Sequence, residues 1–248
     1  MLSLVHRITA RIPQLQRANL RFFLTILATP GQRRYSLSWL LSLQEGYLIR
    51  RRLPWLTYDA IHYLTEHVGA NLKVFEFGSG GSTLFWAERA TMCVSVEHDP
   101  GWVTRLRPLL SRIPQVDLRL VPPEPLRDGA RARDEANFAD PTQYLSSDPA
   151  YGGMSFRAYA SQIDTFPDGF FDVVLVDGRA RPSCVAHSAA KVREGGMFIL
   201  DNADIPHYLA QTRQYLRDFD VIEFSGVAPI GRVMAQTNLY WRCKGLPE

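Results

Sequence analysis

Val74-Phe75-Glu76-Phe77-Gly78-Ser79-Gly80-Gly81-Ser82-Thr83 is the stretch on which the fold turns. A short apolar run ends in a cluster of glycines, and a helical pattern follows over residues 83–90. Glycines directly after a strand let the backbone turn sharply and come close to a ligand, while the next helix offers unpaired N–H groups. Taken alone, the pattern suits any nucleotide-like ligand, or a tight turn that holds none.

Two details narrow the chemistry. Glu76 stands two residues before the first glycine, where a carboxylate would repel a pyrophosphate but suit a ligand bearing an ammonium and a sulfonium. The dinucleotide fingerprint needs glycine at its sixth position, and Thr83 stands there. Glu97, 19 residues after Gly78, closes the next strand and is placed to accept hydrogen bonds from ribose hydroxyls. Glu97 suits either cofactor class, whereas Glu76 and Thr83 favour S-adenosylmethionine over a nicotinamide dinucleotide, which leaves an oxidoreductase as the disfavoured rival.

Working outward, strands at 73–77, 93–97, 118–121, 173–176 and 197–200 alternate with helices at 58–68, 83–90, 102–110 and 182–193. In the first helix Ile61, Leu64 and Val68 share a face, Thr57 is a candidate N-cap and Gly69 a candidate stop. In the last, Val185, Ala189 and Val192 face the core, while Lys191 and Arg193 suit the negative end of the helix dipole. Such alternation predicts right-handed crossovers and a doubly wound, mostly parallel α/β sheet. Strand-like runs at 221–224 and 233–241 predict a C-terminal antiparallel hairpin. The long polar stretch between Val121 and Ser155 leaves the ligand-binding edge of the sheet, so it is expected to cover the substrate. Phe138, Tyr144, Tyr151, Phe156 and Tyr159 are its candidate apolar contacts.

Glu-x-Gly-x-Gly-Gly-Ser-Thr, with Val94-Ser95-Val96-Glu97-His98-Asp99 downstream, resembles a class I S-adenosylmethionine-dependent methyltransferase from about residue 54 to 242. The resemblance implies a seven-stranded Rossmann-like sheet with a terminal hairpin. It implies that Glu76 and Gly78 lie beside the methionine end, within the turn of Ser79, Gly80 and Gly81. Ser82 or Thr83 would reach the methionine carboxylate, Glu97 would hold the ribose, and His98 would border the adenine. Ser82 departs from the commonest motif, which has a third glycine there.

A second constellation concerns the methyl acceptor. Asp177 ends one strand and Asp201-Asn202 the next, so their oxygens should meet at one sheet edge, as a Mg2+ site requires. This is similar to the cation-dependent O-methyltransferases, and implies a small hydroxylated molecule or sugar as acceptor. Asp-Asn can equally cap a helix beginning near Pro206. Those families carry a lysine where Ala180 stands. The flanking Arg179 and Arg181 are poor bases but suit an anionic group or an oxyanion. His207 is a candidate general base beside the mouth, whereas His187, about 200° around its helix from Val185, reads as a solvated surface residue. Trp55 either folds over the cofactor or anchors in the core. A metal-free methyltransferase and a non-catalytic cofactor-binding or assembly module are the remaining alternatives.

The N-terminal part differs from the rest. Residues 1–34 carry Arg7, Arg11, Arg17, Arg21, Arg33 and Arg34 with no acid. The segment 1–52 is therefore read as a basic helical extension ahead of a cofactor-binding domain at 53–248. Interleaved apolar residues make it either an amphipathic helix on an anionic membrane surface or a helix packed on the domain's flank. The apolar run from Phe22 to Ala28 is too short to span a bilayer and has no cleavage pattern, so no export is expected. A net charge of +3 is too small to argue for nucleic acid. Cys93, Cys184 and Cys243 lack metal spacing and read as reduced cytoplasmic thiols.

Overall fold

The computed structural model describes residues 14–126 and 134–243. Arg7 and Arg11, and residues 127–133 of the long polar stretch, lie outside the described residues. The described residues begin with helices α1 (Gln14–Ala28), α2 (Ser36–Ser42) and α3 (Tyr47–Arg51). Then come α4 (Tyr58–His67), β1 (Leu72–Phe77), α5 (Gly81–Ala87), β2 (Ala90–Glu97), α6 (Pro100–Leu110) and β3 (Val116–Leu120). Two short helices follow, α7 (Glu135–Ala139) and α8 (Arg157–Ala160), before β4 (Phe171–Val176), α9 (Arg181–Ser188) and β5 (Val192–Asp201). The last elements are α10 (Pro206–Leu209), β6 (Phe219–Gly226) and β7 (Ala235–Arg242).

These seven strands form one sheet in the order β3-β2-β1-β4-β5-β7-β6, and two further strands among the described residues, Glu124–Pro125 and Met154–Ser155, pair antiparallel in a separate ribbon. Pairings from β3 to β5 are parallel, and β7 runs antiparallel to both β5 and β6. Strand alternation splits the apolar residues between two faces. Phe75, Phe77, Val174 and Val176 pack against Phe156, Tyr159, Cys184 and Val185 on one side. Val74, Val173, Leu175 and Ile199 pack against Leu64, Phe85, Trp86 and Trp39 on the other.

Local expectations held unevenly. Ile61 and Leu64 are buried, but the Thr57 hydroxyl does not cap α4; it donates to Phe224 O at 3.2 Å, tying the helix start to β6. Val68, in extended conformation, ends α4 before Gly69 is reached. The helix expected over 182–193 stops sooner, because Val192 already opens β5. Lys191 pairs with Asp168, and Arg193, now on a strand, pairs with Asp172 rather than serving a helix terminus. His187 is partly exposed, as expected, but its ring is held by Asp164 at 2.9 Å and by the Tyr144 hydroxyl at 3.2 Å.

The N-terminal helices are integral to the core, so the boundary at 52/53 marks no break in packing. Phe22, Ile26 and Trp39 are buried in the same cluster as Leu56, Phe85 and Leu239. The Trp39 indole donates to Gly231 O at 2.7 Å, and Ser42 Oγ accepts from Ile230 N at 2.8 Å. Gln32 accepts from Val227 N at 2.9 Å and donates to Asp59 at 3.1 Å. The extension thereby holds the loop between β6 and β7. Trp39→Ala is expected to cost about 3–5 kcal/mol in urea unfolding; a loss below ~1 kcal/mol would show that these helices only rest on the domain.

Candidate functional site

The site forms where β1 and β4, adjacent in the sheet, lead their chains in opposite directions. Open α/β sheets bind ligands at such a switch point. Two glycines let the strand ends meet. Gly78 has φ +96°, and a Cβ there would stand 2.8 Å from Asp177 O. A Cβ on Gly178 would collide with the Tyr159 hydroxyl. Gly81, which opens α5, has no room for one either, because the carbonyls of Leu48 and Leu53 press on it. Segment 48–53 thus closes over the turn, a contact that the local sequence does not announce.

Glu76 does not face the cavity. The pleat puts it on the Val74 side, beneath α5, and it is fully buried. Thr83 Oγ1 donates to Glu76 Oε1 and accepts from Gly80 N at 2.9 Å, locking the turn. Glu76 Oε2 is buried with no partner among the described residues. Burial pushes this carboxyl up to about 7, against the hydrogen bonds from Thr83, Ser95 and Ser82. The expected places of Glu76 beside the methionine end and of Thr83 on its carboxylate are therefore corrected: both residues are used inward. The repulsion of a pyrophosphate by Glu76 loses its force for the same reason.

Glu97 is where the motif places it. Its Oε2 accepts from Ser79 N at 3.1 Å and Ser79 Oγ at 2.8 Å, and Oε1 accepts from His98 N at 2.7 Å and Asp99 N at 2.9 Å. Burial opposes its charge, but the hydrogen bonds from His98, Asp99 and Ser79 prevail and lower it to about 2. His98 Nδ1 lies 2.7 Å from Glu97 Oε1 and Nε2 lies 2.8 Å from the Tyr151 hydroxyl, so the ring is fixed beside the acid.

A cavity of about 610 Å³ opens over these strand ends. Gly78 to Ser82, Glu97, His98 and Trp102 line one end, and Asp177, Gly178, Arg179, Arg181, Asp201 and Asn202 the other. Tyr47, Leu48, Ile49, Trp55 and the loop residues Ala228, Ile230, Gly231 and Val233 form the rim. Trp55 is half exposed at that rim and is not a core anchor. None of the described residues between 121 and 155 lines the cavity, and its rim is built from residues 46–55 and 228–235. Trp102, whose indole donates to Ser79 O at 2.8 Å, is a wall residue that the motif missed; its signal is the Asp99 N-cap, which fixes Trp102 in the first turn of α6.

Asp177, Asp201 and Asn202 do converge, but around a guanidinium. Arg181, 7% exposed, donates to Asp177 Oδ1 at 3.1 Å, Asn202 Oδ1 at 2.8 Å, Gly178 O at 3.2 Å and Asp201 O. Asp201 Oδ1 is turned to Thr237 Oγ1 at 2.7 Å. Desolvation and the nearby Asp201 push the Asp177 carboxyl up, and Arg181 opposes them. The donor set does not fit a Mg2+ ion, because the Arg181 guanidinium takes the Asp177 and Asn202 oxygens and Thr237 takes Asp201 Oδ1. Among the described residues, no three His, Cys, Asp or Glu side chains are grouped to hold a metal. Arg179 pairs with Asp148 at 3.1 Å and lines the cavity. His207 does not line it: the ring lies 5.8 Å from that of Phe138, Nε2 is buried without a partner among the described residues, and desolvation lowers its pKa. A role as base at the cavity has no geometric support.

No family model matches the sequence, and no curated protein matches it. Solved structures do. Cofactor-bound Rv0187 from MTB is 18% identical over 79% of this chain and 86% of its own, with a TM-score of 0.50. A methyltransferase-like protein (spo2022) from Silicibacter pomeroyi DSS-3 is 22% identical over 79% and 92%, with a TM-score of 0.45. The N-methyltransferase NodS from Bradyrhizobium japonicum WM9 is 10% identical over 81% and 99%, with a TM-score of 0.47. With its seven-stranded, mostly parallel sheet and antiparallel β7, the chain shares the Rossmann-like fold of that cofactor-bound structure.

Glu76 makes stability depend on pH. Its folded pKa, about 7, lies above the ordinary 4.5, so the folded state binds the proton more tightly. That contribution is complete below about pH 4.5 and is lost as pH rises through about 7. Unfolding midpoints between pH 5 and 8 are expected to fall less steeply in Glu76→Gln than in the wild type; parallel profiles would show that Glu76 is not the titrating group.

Proposed function

We propose that this chain transfers a methyl group from S-adenosylmethionine to a hydroxyl of a small acceptor, without a metal ion. The observation that carries this reading is Glu97: a buried carboxylate held charged at the end of β2, on the wall of an open cavity at the switch point. The order β5-β7-β6, with β7 antiparallel, argues against a nicotinamide dehydrogenase, whose sheet continues with a parallel sixth strand.

Several lining residues support a donor in this cavity. Gly78, Gly80 and Gly178 allow close backbone approach. The four acceptor positions of Glu97 are already taken, one of them by the Ser79 hydroxyl. A ribose hydroxyl would displace that side-chain hydroxyl and keep the backbone bonds. His98 and Trp102 would flank the base, and Ser82 would meet the methionine carboxylate at the start of α5.

The donor supplies an electrophilic methyl on a sulfonium. On this reading the acceptor oxygen forms the new C–O bond as the S–C bond breaks, leaving S-adenosylhomocysteine, and the hydroxyl proton passes to Asp177 or to water. Arg181 would orient Asp177 and neutralise charge beside the acceptor, the task first assigned to a cation. The apolar and aromatic rim, with Trp55, Ile49 and Ile230, suits an acceptor with an apolar portion.

Calorimetry with S-adenosylhomocysteine tests the donor site. Hydrogen bonds to a charged group contribute about 1.5–3 kcal/mol, so Glu97→Ala is expected to weaken binding roughly 10- to 150-fold. Ser79→Ala should leave affinity within about threefold, since its hydroxyl only stands in for the ligand's. Equal affinity of the wild type and Glu97→Ala would remove the donor assignment. Once an acceptor is found, turnover should persist in excess chelator.

A further inference from the structure

Helices α1 and α2 each spend one face on the core and leave a second apolar face outside. On α1, Phe22 and Ile26 point inward, while Leu20, Leu24 and Leu27 follow one another at i, i+4 and i+7 on the exposed side. On α2, Trp39 points inward and Leu37, Leu40 and Leu41 are exposed. The Phe22 and Trp39 rings meet edge to face at 5.5 Å. Both helices therefore grip one inner cluster and turn their leucines away from it. Leu24 is 56% exposed and Leu37 65%, so neither supports the fold it sits on. Exposed leucines along both of two helices in contact mark an interaction surface.

Charge identifies the partner. Arg21 on α1 and Arg33 between the helices are exposed, and Glu45 is the one acid in the sequence between residues 14 and 52. Leucines bordered by arginines suit an interface of acyl chains under anionic headgroups, and no described helix is long and apolar enough to cross a bilayer. We propose that the leucine face of α1 and α2 docks this protein on an anionic lipid surface. The cavity shares in that orientation: Ile230 and Gly231, both on its rim, hydrogen-bond to Ser42 and Trp39. Docking fixes the rim relative to the bilayer, which matches its apolar lining and points to a lipid-borne acceptor, the last step resting on the methyl-transfer reading.

Co-sedimentation of the full chain with phosphatidylcholine vesicles, with and without phosphatidylserine, tests the surface. Binding is expected only with phosphatidylserine, and should weaken as salt rises. The double variant Leu24→Glu/Leu37→Glu should lose roughly tenfold or more in partitioning, with its unfolding midpoint and S-adenosylhomocysteine affinity unchanged. Arg21→Glu/Arg33→Glu should lose the preference for phosphatidylserine. No sedimentation of the wild type, or equal sedimentation of the leucine variant, overturns the proposal. So does a lipid-free dimer that the leucine variant dissociates, because the face would then be covered by a second copy.

Discussion

The Arg181 guanidinium is the interaction around which the working edge of the sheet is arranged. β4 and β5 end side by side, and each brings an aspartate to the same edge. Two carboxylates so placed repel one another in a desolvated setting, which pushes the Asp177 carboxyl up and is eased by a positive charge beside it. Arg181, at the start of α9, supplies that charge from within the chain, and its donors also take the Asn202 amide oxygen and two backbone carbonyls. The loops after both strands are thereby fixed, and with them the floor of the cavity. The same convergence that suggests a metal from sequence is, in the folded chain, built around a guanidinium.

The second constraint is close approach. Gly78 and Gly178 let β1 and β4 end in contact, and Gly81 lets segment 48–53 lie on the start of α5. Beneath them Glu76 and Thr83 hold the turn from inside. The motif is thus half structural: its alternate residues face opposite sides of the strand, and only the turn itself with Glu97 and His98 meets the cavity.

What was legible in the sequence follows from range. The strands and helices stood out because their apolar periodicity is local, and Glu97 was found because one crossover separates it from Gly78. The inward direction of Glu76 was also legible from the pleat, which puts it on the same side as Val74; the motif drew attention away from that alternation. The rim was not legible, since it joins residues 46–55 to the β6–β7 loop, nearly the whole chain apart. Nor could the extension be resolved, because both the 22/26 and the 20/24/27 faces of α1 are apolar and only packing shows which is buried. The sequence suits Arg181 to an anion, but its actual partners depend on a side-chain direction that follows the left-handed turn at Ala180.

The most direct measurement is a crystal structure grown with S-adenosylhomocysteine and excess Mn2+, with anomalous data collected for manganese. The expected result is the nucleoside against Glu97, the Ser79 hydroxyl displaced, Arg181 still between Asp177 and Asn202, and no manganese peak at that position. A manganese peak between Asp177 and Asp201, with the guanidinium swung out, would contradict the assignment of Arg181 as the cation of this site.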